Sequence, residues 1–133
     1  MRKLKSNKVS DDVTLFEKFG IEDRIQFLKS LSVLSVPVPG GEAFGAYMIE
    51  ALAAGVPIVQ PNAGGYPEFV ANTGGGVIYE PNDPKHLAKA LAGLLSDKDK
   101  LKNLAKNGKE KVITQYTMTS MAGKIVDIYK GIM

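Results

Sequence analysis

No cysteine occurs among the 133 residues, which excludes disulfide bridges and thiolate-bound metal and leaves packing to hold the fold together. Histidine occurs once, at His86, with no acidic cluster at ligand spacing around it, so a bound transition metal is not expected. A nucleophilic triad is excluded on the same ground, since no serine has a suitable base near it. Long hydrophobic runs are missing too. No apolar stretch could span a bilayer, and the start, MRKLKSNKVSDD, leads into no segment of signal-peptide length. A cytoplasmic location is the resulting expectation.

What is present suits one domain. A hydrophobic content of 44% over 133 residues supports a real core but not two of them. The net charge of +3 is unevenly placed: Arg2, Lys3, Lys5 and Lys8 crowd the start, and Lys98, Lys100, Lys102, Lys106, Lys109 and Lys111 crowd a later segment. Asp97, Asp99 and Glu110 interrupt the second cluster, which reads as a solvated helix face. Peripheral contact with anionic membrane lipid is a second reading of these cations. Nucleic acid is not expected as a partner, because interleaved aromatics and any RNA- or DNA-binding module are missing.

The pattern along the chain is β, α, β, α, β and then helices. Val13–Phe19 is a candidate strand, and Glu22–Leu31 is a helix with Ile25, Phe27, Leu28 and Leu31 facing the core. Ser32–Val38 reads as a buried parallel strand stopped by Pro39, Gly40 and Gly41. A helix over Gly45–Ala54 and a strand over Pro57–Gln60 follow, then a turn at Gly64 and Gly65 and a helix over Tyr66–Asn72 with Pro67 in its first turn. Gly74, Gly75 and Gly76 precede a strand, Val77–Glu80. They are not read as a phosphate loop, which follows a strand and opens a helix.

Asp83 and Pro84 then open a helix to Leu95 with Leu87, Leu91, Leu94 and Leu95 as its apolar stripe. A helix over Lys98–Gln115 turns Leu101, Leu104, Ala105 and Val112 inward, with Gly108 as a weak spot. The last helix, from Thr119, is expected to bury Met121, Ala122, Ile125, Ile128, Tyr129 and Ile132, and exposure of that strip would mark a missing neighbour. His86 beside Lys85 is expected to be exposed.

The most informative stretch is GGEAFGAYMIEALAAGVPIVQP, Gly40 to Pro61. It sets two carboxylates, Glu42 and Glu50, around the start of a helix that is apolar on every face and therefore expected to be enclosed. A buried Glu50 needs a partner, since an unpaired buried charge is destabilising by several kcal/mol or takes up a proton. Two readings stay open. In one, Glu42 complements the helix dipole and Glu50 pairs with a lysine or arginine. In the other, both accept hydrogen bonds from a polyhydroxylated ligand whose anionic part lies on the outward N–H groups of Phe44, Gly45 and Ala46.

The two glutamates seven residues apart, within EAFG and EALAAGVPIV, and the following NAGGYPEFV resemble the donor-binding half of retaining family-4, or group 1, glycosyltransferases of the GT-B fold. The likeness continues through GGGVIYEPNDPKHLAKAL and YTMTSMAGKIVDIY. The resemblance implies that Glu42 approaches the donor sugar's hydroxyls or the reacting centre and that Glu50 accepts from the ribose hydroxyls. It also implies that Ala43, Phe44, Gly45 and Ala46 present N–H groups to the sugar and distal phosphate, with Gly64 and Gly65 as the second glycine turn. Glu68 is expected to play a structural part.

On this resemblance the fold class is α/β, a partial Rossmann-like parallel sheet of about four strands flanked by helices. Residues 1–133 are then one incomplete C-terminal donor domain. The substrate implied is a nucleoside diphosphate sugar, used without cofactor or metal, and the implied partner is a missing N-terminal acceptor domain. The family's diphosphate-binding arginine and lysine have no counterpart before Val13, a loss of roughly 10² to 10³ in rate per group, so the chain alone is expected to be inactive. With the first strands of the order 3-2-1-4-5-6 lacking, Val13–Phe19 either pairs with Ser32–Val38 or leaves an open sheet edge for self-association. A non-catalytic nucleotide-sugar-binding or regulatory module is the alternative, and a GT-B epimerase is disfavoured by the scarcity of histidine and further acidic groups.

Overall fold

The computed structural model of the chain describes residues 6–16 and 20–132. After a 3-10 turn at Ser10–Asp12, the elements are α1 (Ile21–Ser30), α2 (Ala46–Ala53), β1 (Ile58–Pro61), α3 (Tyr66–Thr73), β2 (Gly76–Tyr79), α4 (Pro84–Ser96), α5 (Lys98–Gln115) and α6 (Met118–Ile132). Strands β1 and β2 are parallel, with Ile58 opposite Gly76 and Pro61 opposite Tyr79.

The expected strand Ser32–Val38 lies beside β1 but forms a single parallel bridge, Leu34 to Ile58. Leu34 N–H donates to Pro57 C=O at 3.0 Å and Val59 N–H donates to Leu34 C=O at 2.9 Å. A parallel ladder advances by two residues, so the next donor to Val36 C=O would be the N–H of residue 61, which is proline and has none. Other groups fill the break: Gln60 Oε1 accepts from Val36 N–H at 3.0 Å, Val36 C=O accepts from Val38 N–H at 2.9 Å, and the Tyr66 hydroxyl stands 3.4 Å from that carbonyl.

The expectation of about four strands is therefore corrected to two strands and one bridge among the described residues. The first expected strand is corrected as well. Val13–Phe16 pairs with no strand, and Phe16 instead meets Phe27 of α1 edge-on, with ring centroids 5.0 Å apart; residues 17–19 lie outside the described residues.

Helices cover both faces of the sheet, as an α/β fold requires. Residues 58–61 of β1 are all buried, and alternate side chains divide between two clusters. Ile58 joins Leu28, Met48, Ala51, Leu52, Val56, Tyr66, Phe69 and Val112 on one side, whereas Val59 joins Tyr79 and Leu94 on the other. Leu87, Leu91 and Leu94 form the inward stripe of α4. Leu95 falls one step further round and is exposed, and so is Ile25 on α1.

Gly108, expected to weaken α5, has a packing role instead. A Cβ there would stand 2.6 Å from Leu52 Cδ2 and 2.8 Å from Gly75 Cα. Its lack of a side chain lets α5 approach the β1–β2 layer through Gly75 and α2 through Leu52. The last helix differs most from expectation. None of the described side chains of α6 is buried, and Met121, Ile125, Ile128, Tyr129 and Ile132 are all exposed. Apart from Met118 and Met121, which border a cavity shared with Ile49 and Tyr116, its apolar arc is left open.

The start of α4 follows its sequence signals. Asp83 Oδ1 accepts from His86 N–H at 2.8 Å, and the His86 ring Nδ1 lies 2.9 Å from the same carboxylate, so His86 is held in a pair and is only partly exposed. Those contacts, the backbone one first, hold the Asp83 carboxyl below its ordinary range.

Two outcomes follow for stability. Gly108→Ala should destabilise the chain by about 1–3 kcal/mol through overpacking, whereas Gly93→Ala, in open space on α4, should stabilise it by about 0.5–1 kcal/mol; urea midpoints measure both. Because the folded pKa of Asp83 is lowered, its contribution is present above the unfolded value and is lost as pH falls through the folded one. The difference in melting temperature between the native chain and Asp83→Ala should accordingly be seen at neutral pH and shrink below the ordinary carboxylate range.

Candidate functional site

Two loops meet backbone to backbone beside the first turns of α2 and α3. Gly40 and Gly41 carry φ values of 79° and 76° and Gly64 one of 53°, all in the left-handed region. A Cβ on Gly41 would stand 2.5 Å from Ala63 C, one on Gly64 2.6 Å from Glu42 O, and one on Gly65 2.7 Å from Ala43 O. Gly65 N–H donates to Glu42 C=O at 2.7 Å and ties the loops together. Only glycine at 41, 64 and 65 allows this approach, which brings Glu42, Ala43, Gly64 and Gly65 together.

Both helices begin at glycine, α2 after Gly45 and α3 after Gly65, and neither has a side-chain cap. Two helix N-termini with their positive dipole ends therefore start from one pair of touching loops, which favours an anion there. Ala43, Phe44, Ala46 and Gly64 are exposed, whereas Gly45 is buried. Phe44 reaches into a cavity of about 680 Å³ that Ile49, Tyr116, Met118 and Met121 also line. Glu68 is exposed in the first turn of α3.

The Glu42 carboxylate lies at the start of α2 beside Tyr47. The Tyr47 phenol is held far above its ordinary pKa, first by burial, then by hydrogen bonds with Tyr66 and with Glu42. The Tyr47 and Tyr66 hydroxyls are 3.0 Å apart.

The expectation for Glu50 needs correction. Helix α2 is not enclosed: Met48, Ala51 and Leu52 are buried, but Ala46 and Ala53 are exposed. The Glu50 side chain is 37% exposed, and its Oε1 lies 3.4 Å from an Arg24 guanidinium nitrogen. It borders a cleft of about 330 Å³ lined by Ile21, Arg24, Ile25, Leu28 and Lys29, which accounts for the exposure of Ile25. Glu50 thus has the cation partner of the structural reading and the accessibility of the ligand-binding one. Sequence reasoning missed Arg24, Tyr47 and Tyr66. The tyrosines carried one signal, each following a glycine loop at a helix start, while nothing in the spacing links Arg24 to Glu50.

A parallel αβ layer with paired glycine loops at two helix starts is a frame suited to holding an anionic ligand. Residues 2–111 match the family model described as "Glycosyl transferases group 1", and the chain belongs to that family. It is 34% identical over 90 residues to the GDP-mannose-dependent alpha-(1-6)-phosphatidylinositol monomannoside mannosyltransferase of Mycobacterium tuberculosis, a match over 68% of this chain and 23% of that enzyme.

Among solved structures, sucrose-phosphate synthase from Thermosynechococcus elongatus superposes with a TM-score of 0.85 at 27% identity, over 98% of this chain and 33% of that one. HepE of Anabaena, solved in complex with UDP-glucose, shares the fold at a TM-score of 0.85 and 19% identity, over 98% of this chain and 35% of its own. The chain thus spans a minor part of the proteins it matches.

Gly40 and Gly41 separate backbone strain from contact. Both variants to alanine carry the left-handed penalty of about 1–2 kcal/mol, but only Gly41→Ala also meets the Ala63–Gly64 backbone, whereas Gly40 has nothing within 4 Å. Gly41→Ala should therefore destabilise more than Gly40→Ala, by at least about 1 kcal/mol in urea denaturation.

Proposed function

We propose that the chain forms the donor site of a retaining group 1 glycosyltransferase that moves a sugar from a nucleoside diphosphate sugar to a hydroxyl acceptor. The observation that carries the reading is the meeting of two uncapped helix N-termini at the glycine loops that hold Glu42. Each N-terminus offers roughly half a positive charge to a diphosphate. In this reading the N–H groups of Ala43, Phe44, Gly45 and Ala46 face the distal phosphate and sugar, and Gly64 and Gly65 close the other side. Glu42 accepts from the sugar hydroxyls next to the reacting carbon.

Glu50 serves the ribose from the cleft it shares with Arg24 and Lys29. Its apolar wall of Ile21, Ile25 and Leu28 suits the flat face of a base, and in this reading the Arg24 and Lys29 cations that line it stabilise negative charge on the nucleotide. Departure of the diphosphate demands that charge stabilisation, and the acceptor hydroxyl must come from elsewhere. We assign residues 1–133 to the C-terminal donor domain and the acceptor site to a further domain, in keeping with coverage of 23% to 35% of the relatives.

The exposed apolar arc of α6 supports packing against that domain. In this reading the reaction is assigned no metal. No helix of the described residues is long and apolar enough to cross a membrane, and a cytoplasmic location is part of the proposal.

Calorimetric titration with UDP, GDP, UDP-glucose and GDP-mannose tests the reading. Glu50→Gln should weaken nucleotide binding about tenfold or more, the loss expected for hydrogen bonds to a charged acceptor. Equal affinity in the native chain and in Glu50→Gln would leave Glu50 with only its Arg24 pair.

A further inference from the structure

We propose that Tyr47 is a positioning residue for Glu42, anchored by Tyr66, so that the two phenols connect the site carboxylate to the core. The inference rests on the donor-site reading for its effect on ligands but not for its geometry. Tyr66 is fully buried and belongs to the cluster with Leu52, Ile58 and Phe69, so its ring is fixed by packing. Its hydroxyl lies 3.0 Å from that of Tyr47, which stands on the neighbouring helix. The Tyr47 phenol in turn lies beside the Glu42 carboxylate across Gly45, close enough for the carboxylate to help raise its pKa.

Gly45 is what lets the last pair approach. A Cβ at that position would stand 2.9 Å from Tyr47 Cζ and 3.0 Å from Glu42 Oε2, so a methyl group would occupy the space between phenol and carboxylate.

Counting protons decides the direction of the relay. Each phenol has one hydrogen to donate, and the acceptors are the Glu42 carboxylate, the two phenol oxygens and Val36 C=O. If Tyr66 donates to Val36, Tyr47 donates to Tyr66 and Glu42 receives nothing. If Tyr66 donates to Tyr47, Tyr47 donates to Glu42. The Val36 contact is long, at 3.4 Å, and an ionised carboxylate is the stronger acceptor, so the second arrangement prevails while Glu42 is charged. Donation along the series polarises each bond in turn and fixes one oxygen of Glu42, leaving the other for a ligand hydroxyl.

Two measurements test this. The first needs no ligand: the titration of the Tyr47 ring, followed by the carbon-13 shift of its Cζ. It should move down towards the ordinary tyrosine range in Glu42→Gln and in Tyr66→Phe; a Tyr47 titration indifferent to Glu42→Gln overturns the relay. The second compares UDP-glucose with UDP and GDP-mannose with GDP by calorimetry. Tyr47→Phe, with its fold checked by circular dichroism, should lose about tenfold of the affinity contributed by the sugar and none of that for the nucleotide.

In the second measurement, the double variant with Glu42→Gln should be no worse than Glu42→Gln alone. Gly45→Ala should reproduce the loss with both phenols intact. Equal losses for nucleotide and nucleotide sugar, or additive effects in the double variant, overturn the positioning role. Failure of the native chain to bind any of these four ligands counts against the donor-site reading, while the tyrosine titration still decides the relay.

Discussion

Backbone contact between the Gly41–Ala43 and Ala63–Gly65 loops is the constraint on which the site depends. The loops belong to consecutive crossovers of one sheet, and their contact sets the spacing of the two helices that start from them. Any side chain at the contact would have to push α2 and α3 apart, and with them the two dipoles and the two tyrosines. The hydrogen bond from Gly65 to the Glu42 carbonyl fixes the backbone of the residue whose carboxylate is proposed to meet the ligand. Geometry and chemistry share the same atoms here: main chain that must be bare to pack is also main chain that an anion can reach.

Burial on one side only runs through the rest of the fold. Helix α2 is apolar around its circumference yet covers only one face, and α6 leaves its apolar side chains exposed. A helix of this length has little stability of its own in water and takes most of it from packing, so α6 requires a surface to lie on. The mannosyltransferase is more than four times, and the sucrose-phosphate synthase about three times, as long as the part matched in it. Incomplete packing and partial coverage are both in keeping with the proposed donor half.

Much of the local structure was legible because local signals decided it. Asp83 with Pro84 opens α4, as their types predict. Features settled by distant partners were not legible. Pro61 at the end of β1 denies a donor to Val36 on the neighbouring segment, and this shortened the expected strand Ser32–Val38. Gly108 looked weak because propensity sees only its own helix, whereas its role is set by Leu52 and Gly75. Within the site the loops and Glu42 were visible as a motif, but the Tyr47–Tyr66 link needed both loops folded against each other.

The correction at Glu50 bears most directly on function. Had it been enclosed with Arg24, separating the pair would leave a buried charge uncompensated, at about 3–5 kcal/mol, and a ligand could not recruit it. Both side chains are instead more than a third exposed, at 47% and 37%, a setting in which an ion pair contributes only about 0–1 kcal/mol. A hydroxyl pair from a ribose can therefore share or displace the guanidinium at small expense, and Arg24 remains beside the cleft, where a diphosphate would attract it. The pair holds Glu50 in place without consuming it. Weak pairing at the cleft is thus what keeps the structural and the ligand-binding roles of this carboxylate compatible.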